Sequence, residues 1–158
     1  PIFEQRIFNT RAMTATHRSV SAYPAALLGL VTIVADPFAL VMEARTGVLA
    51  KTAFDVAELL QLHIDELADL LHTTTKTLRT YRQARKRLNP TSSEQVLKLL
   101  GLARQGEEVF GDGATFRRWL NKPAYGLGGQ LPLSLLQTSG GIDLVAEELT
   151  RIAYGDLA

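Results

Sequence analysis

What most limits the folds open to this chain is its hydrophobic rhythm. Beyond Pro37 apolar residues recur at spacings of three and four, cut at short intervals by capping and stop signals. No alternating apolar runs are joined by Asn-Gly or Asp-Gly, as a hairpin would need. The pattern predicts an all-α protein. Phe38 to Arg45 forms one helix, stopped by Thr46-Gly47, and Lys51 to Leu62 the next, with Phe54, Val56, Ala57 and Leu60 to one side. Ile64 to Leu71 follows, with His63 at its N-cap and Glu66 three residues on. A further helix begins in threonines 73 to 75 and runs through Leu78, Tyr81 and Arg85 to about Leu88.

Asn89-Pro90 halts that helix, and Thr91-Ser92-Ser93-Glu94 reads as a capping box for the next, whose apolar face holds Val96, Leu97, Leu100 and Ala103. Another helix follows Asp112-Gly113, carries Phe116, Trp119 and Leu120, and ends at Asn121-Lys122-Pro123. A turn-rich link spans Tyr125 to Pro132. The last helix, Ile142 to Tyr154, sets Ile142, Val145, Leu149 and Ile152 along one stripe, more readily a core face than an interface. Neither an internal repeat nor a low-complexity tract is present. The expected organisation is an N-terminal segment, residues 1–36, of unassigned role; a first helical part, 37–90; and a C-terminal helical part, 91–158. Neither part need fold alone.

The apolar run Ala25 to Ala35 is broken by Gly29 and Thr32 and falls far short of the roughly 18 residues a membrane helix needs. It reads as a first core element; a secretory signal is the weaker reading, since the approach to the run is long and no convincing small-residue cleavage site follows. No membrane partner is expected. Cysteine is absent, which excludes disulfides, thiol nucleophiles and thiolate metal sites and fits a reducing cytoplasm. His63 and His72 are nine residues apart, not the three or four a helical metal pair requires, and His17 is farther still; neither metal nor cofactor is expected. Glu107-Glu108 and Glu147-Glu148 have no convergent base, nucleophile or phosphate loop, so nothing points to an enzyme.

The formal net charge is only +1, but its distribution is uneven. No acid lies between Asp69 and Glu94, whereas Lys76, Arg79, Arg82, Arg85, Lys86 and Arg87 put six of the 17 basic residues into twelve positions. The preceding helices carry Asp55, Glu58, Asp65, Glu66 and Asp69 without an evident counter-charge. A charge run of this kind is often only a solvated helix face. Its position favours more: two short helices separated by a tight turn, with small Ala68 at the crossing and Leu67, Leu71, Leu78 and Tyr81 as packed positions, form a helix-turn-helix. The second helix then exposes Thr75, Lys76, Thr77, Arg79, Thr80, Arg82 and Gln83, residue types that hydrogen-bond phosphates and base edges. Lys76, Arg79 and Gln83 are the expected base readers, and Arg85, Lys86 and Arg87 the expected backbone contacts. One such helix rarely suffices, which implies a dimer on an inverted repeat.

Leu88-Asn89-Pro90-Thr91-Ser92-Ser93-Glu94, followed by Gly106-Glu107-Glu108-Val109-Phe110-Gly111-Asp112, resembles the antitoxin family called Xre/MbcA/ParS. The similarity continues through Arg118-Trp119-Leu120, Pro123, Leu127-Gly128-Gly129, Pro132-Leu133, Leu135-Leu136, Gly140-Gly141 and Ile152-Ala153-Tyr154-Gly155, and covers roughly Pro37 to Gly155. The turn departs from the family pattern: His72 and Thr73 stand where a glycine and a branched apolar residue are usual, and His63 replaces the usual serine cap. The resemblance implies a cytoplasmic antitoxin that represses its own operon through operator DNA. It further implies a C-terminal domain that binds a cognate toxin, typically a RES-domain protein that depletes NAD, and covers the toxin's active-site cleft.

For that interface the candidates, all expected to be exposed, are Glu148, Arg151, Tyr154 and the tail Gly155, Asp156, Leu157 and Ala158, in a region from Pro123 onward that is acidic and ill suited to DNA. Tyrosine and arginine are favoured interface anchors, and the terminal carboxylate beside Asp156 could meet cations that otherwise hold a dinucleotide's phosphates. Without the resemblance the same tail would read as a frayed end. Trp119 is expected in the core, and Leu127-Gly128-Gly129 as a turn needing positive φ. The alternative is a helix-turn-helix transcription regulator whose C-terminal domain only dimerises.

Overall fold

The computed structural model describes residues 23–155. Their helices are α1 (Ala25–Val34), α2 (Pro37–Thr46), α3 (Ala50–Leu59), α4 (Ile64–Leu70), α5 (Thr75–Gln83), α6 (Pro90–Phe110), α7 (Gly113–Leu120), α8 (Pro132–Leu135) and α9 (Ser139–Ala153), with one 3-10 turn at Tyr125–Leu127. Among the described residues there is no strand, only an isolated bridge between Leu49 and Arg87. The all-α expectation holds.

Helix α6 organises the molecule. Its 21 residues bury Val96, Leu97, Leu99, Leu100, Leu102 and Ala103, which lie around most of its girth rather than on one stripe. A helix apolar on most sides must be covered on most sides. Accordingly α1, α2 and α3 pack against it, and so do α7 and α9. The expected division between residues 90 and 91 falls in its first turn, so its side chains serve both halves. At Gly106 any Cβ would collide with the Phe116 ring of α7, and Phe116 stacks at 5.9 Å on Phe110 and 6.1 Å on Trp119. Trp119 is thus a half-buried member of an aromatic cluster.

Several expected boundaries shift. Asn89, not Thr91, caps α6: its Oδ1 accepts the Ser92 N–H at 2.8 Å, with Pro90 in the first helical position. Ser93 is instead a buried link, its Oγ donating to Leu88 O and accepting the Val48 N–H. Helix α9 starts at Ser139, earlier than expected, because Thr138 accepts the Gly141 N–H.

The larger corrections share one cause. Helix α3 stops at Leu59 rather than Leu62, and α5 at Gln83 rather than Leu88. Each ends in a left-handed cap carried by a residue that is not glycine: Gln61 at φ 54°, His72 after α4 at φ 55°, and Arg85 at φ 53°. In all three the next amide folds back five residues, Leu62 to Ala57 O, Thr73 to Ala68 O and Lys86 to Tyr81 O. Glycine is the low-cost residue there, so no local signal announced these stops.

Two of the five acids before the turn have a counter-charge. Lys51 pairs with Asp55 at 2.7 Å, and Glu66 with Arg117 of α7 at 2.6 Å. Burial works to raise the Glu66 pKa, but the Arg117 hydrogen bond, the His63 N–H and the guanidinium charge outweigh it and hold the carboxyl below its ordinary value. No described helix is long and apolar enough to cross a membrane. No cluster of histidine, aspartate and glutamate among the described residues could hold a metal ion.

Candidate functional site

Helices α4 and α5, joined by Leu71 to Thr74, form the helix-turn-helix. Leu67, Ala68, Leu71 and Leu78 are buried and Tyr81 partly so, as the spacing predicts. Thr74 caps α5, its hydroxyl accepting the Thr77 N–H at 3.1 Å while donating to the Thr77 hydroxyl at 2.9 Å. That cap fixes the direction in which α5 leaves the turn.

The outer face of α5 shows Lys76, Thr77, Arg79, Thr80, Arg82 and Gln83, all exposed, with Thr75 half-buried at its start. Two of the cations also have partners within the fold. The Arg82 guanidinium lies 4.1 Å from the centroid of the Phe54 ring on α3, and the Lys86 ammonium 5.3 Å from that of Tyr81. Arg85, Lys86 and Arg87 lie beyond the end of α5, on the segment leading to α6. Arg87 also works as a brace: its Nη1 donates to Gly47 O at 2.6 Å and its backbone bridges Leu49. The basic stretch therefore has two parts, a helix face and a short non-helical run.

In the C-terminal half the expected exposure of Glu148 is not found. Its residue is 6% exposed, its carboxylate lies under Gly126 so closely that a Cβ there would collide with it, and it pairs with Arg151 at 2.6 Å. The turn at Tyr125–Leu127 folds over α9 and closes that carboxylate from water. Arg151 keeps its side chain 43% exposed, and Tyr154 is 84% exposed. Gly155 adopts φ 70° and donates its N–H to Ile152 O, ending α9. Asp156, Leu157 and Ala158 lie outside the described residues, as does His17. Gly128 and Gly129 have φ 65° and 76°, as the turn reading requires. Ile142, Val145 and Leu149 are core, with Ile152 half-buried.

Sequence reasoning missed Tyr125, whose side chain is wholly exposed on the turn that covers Glu148. It also missed Gln95 and Glu107, both buried on α6, and gave Arg117 no partner. Glu107 accepts a hydrogen bond from the Tyr23 hydroxyl at 2.9 Å, whereas Glu108 is exposed.

A helix-turn-helix with a cationic outer face, joined through the shared core of α6 to a second helical half, defines a two-part DNA-binding type of protein. Comparison with known proteins narrows it. Residues 39–101 match the family described as the antitoxin Xre-like helix-turn-helix domain, and residues 105–155 the antitoxin Xre/MbcA/ParS C-terminal toxin-binding domain. The Prs ADP-ribosylating antitoxin of a Sphingobium species is 31% identical over 128 residues, covering 72% of this chain and 80% of that protein. The antitoxin Xre of Pseudomonas putida is 30% identical over 80 residues, 51% of this chain, and the match spans about half of that relative's length. The chain belongs to the Xre/MbcA/ParS family of antitoxins, with both the helix-turn-helix domain and the C-terminal toxin-binding domain of that family.

Proposed function

We propose that this antitoxin binds operator DNA through α5 and so represses its own operon, and that its C-terminal half neutralises an NAD-depleting RES-domain toxin by covering the active site. The observation that carries the reading is the pairing, in one chain, of an exposed cationic helix-turn-helix face with a match to the family's toxin-binding domain. In this reading Lys76, Arg79 and Gln83 meet base edges, while Arg85, Lys86 and the free part of Arg87 meet phosphates. The DNA-binding part spans 37–90 and the toxin-binding part 91–158. Arg151, Tyr154 and the tail 155–158 contact the toxin, and buried Glu148 serves by holding Arg151. The chain has no catalytic role, needs no cofactor and works in the cytoplasm.

A homodimer on an inverted repeat completes the DNA reading. It is supported by the exposed apolar residues Phe38, Val41 and Met42 of α2, which a second copy would cover.

The relative named a Prs ADP-ribosylating antitoxin favours a second reading of the toxin: one that transfers ADP-ribose from NAD to a protein, releasing nicotinamide, rather than degrading NAD outright. The test is co-purification with the product of the adjacent gene, then an assay of NAD loss and of ADP-ribose incorporation with and without the antitoxin. A stable complex that protects NAD supports the antitoxin reading, and incorporation into protein selects the second toxin chemistry. A chain that shifts its promoter DNA but captures no partner returns the plain transcription regulator.

A further inference from the structure

We propose that His72 and Gln95 are positioning residues through which the C-terminal half sets the pose of the DNA-reading helix, an inference that rests on the reading of α5 as that helix. Helix α4 is gripped at both ends by residues outside the helix-turn-helix. At its C-terminal end the Leu70 carbonyl accepts from Gln95 Nε2 at 2.7 Å. The same amide lies 3.0 Å from Gln137 O and 3.3 Å from Leu136 O, carbonyls that follow α8. Gln95 is 4% exposed, so its two N–H groups have these carbonyls as acceptors in place of water. At the other end Glu66 is held by Arg117 of α7.

His72 adds the contact nearest the recognition helix. Its Nε2–H donates to Gln137 O at 2.7 Å, so a single carbonyl of the α8–α9 turn receives both the turn histidine and the buried amide. The histidine holds this place with φ 55°, where glycine would sit without strain. A backbone requirement alone would select glycine. The imidazole instead spans from the helix-turn-helix to the far half of the molecule. Because α5 follows α4 across a turn of a few residues, any displacement of the α8–α9 turn is passed to the face that meets DNA.

The test uses the full chain in three forms: wild type, His72→Gly, which relieves the strain and removes the donor, and His72→Gln, which keeps the strain and restores an N–H at similar reach. Affinity is measured for a labelled duplex of the DNA immediately upstream of the gene, alongside thermal melting and amide hydrogen exchange over residues 73–83. A positioning role predicts that His72→Gly melts at or above wild type, yet binds about fivefold more weakly, the factor one lost hydrogen bond is worth, and exchanges faster. His72→Gln should recover both. A merely structural role gives the opposite order, with His72→Gly binding as wild type and His72→Gln weakest, and that order overturns the proposal. Should wild type fail to bind the duplex, the DNA reading falls and exchange alone decides: faster exchange in His72→Gly, restored in His72→Gln, upholds the contact, and unchanged exchange overturns it.

Discussion

The two halves of this antitoxin handle charge in opposite ways. On α5, Lys76 and Arg79 stand in water, and none of the six cations from Lys76 to Arg87 forms an ion pair among the described residues. On α9, Asp143 is tied to Lys98 at 2.8 Å, and Arg151 to a carboxylate sealed beneath the Tyr125–Leu127 turn. A surface that keeps its cations unpaired suits a partner that is a dense polyanion and brings its own counter-charges. A surface that ties Asp143 and Arg151 into the fold and leaves the tyrosines Tyr125 and Tyr154 outside suits a folded protein partner, where aromatic side chains supply much of the binding energy. The lesson is that the division of labour is written in which charges are already satisfied, more than in net charge.

If the halves differ in surface but share a core through α6, damage to one core must reach the other. Phe116 is 1% exposed and braces α6 from the C-terminal side. Phe116→Ala should lower stability by about 3–5 kcal/mol and do so in one cooperative transition, with helix-turn-helix amides losing protection together with those of α9. Two separate melting steps would show the halves to be independent and break the shared-core account.

The surface contrast is sharpened by crossing one substitution from each side. Arg79→Glu should weaken binding to operator DNA by at least about 2 kcal/mol and flatten its salt dependence, leaving toxin capture intact; equal loss in both assays would mean a folding defect. Tyr154→Ala, at a side chain that the fold barely uses, should weaken toxin binding by about 1–2 kcal/mol with no change in DNA affinity or melting temperature. Isothermal titration against the purified toxin reads this directly, and an unchanged affinity would remove Tyr154 from the interface.

The smallest effect concerns the bridge between the halves. Since the folded pKa of Glu66 lies below its ordinary value of 4.5, folding favours the ionised form. That stability is present above the ordinary carboxylate range and is lost as pH falls through the folded pKa. The Glu66 carboxylate is 30% exposed, so the contribution is no more than about 1 kcal/mol after solvent screening. Melting curves of wild type and Glu66→Gln should differ near neutrality and converge in acid; parallel curves at every pH would show that the Arg117 pair contributes nothing.

Most of the helical order, the core stripe of α9 and the residue types of the α5 face were legible in the chain itself, because helix period, start and stop signals such as Asp112-Gly113 and Asn89-Pro90, and the acid-free stretch all act within a turn or two of their own position. Tertiary structure alone decided where α3 and α5 stop, since Gln61 and Arg85 hold left-handed caps that no local preference of theirs would select. It likewise decided that Glu66 finds Arg117, that Gln95 gathers carbonyls from both halves, and that Glu148 is covered rather than exposed. The caps close over five residues and take a strained backbone because the surrounding packing requires the chain to turn there. The other contacts join residues tens of positions apart, and polar side chains accept burial there because the packed core has brought their partners within hydrogen-bonding distance.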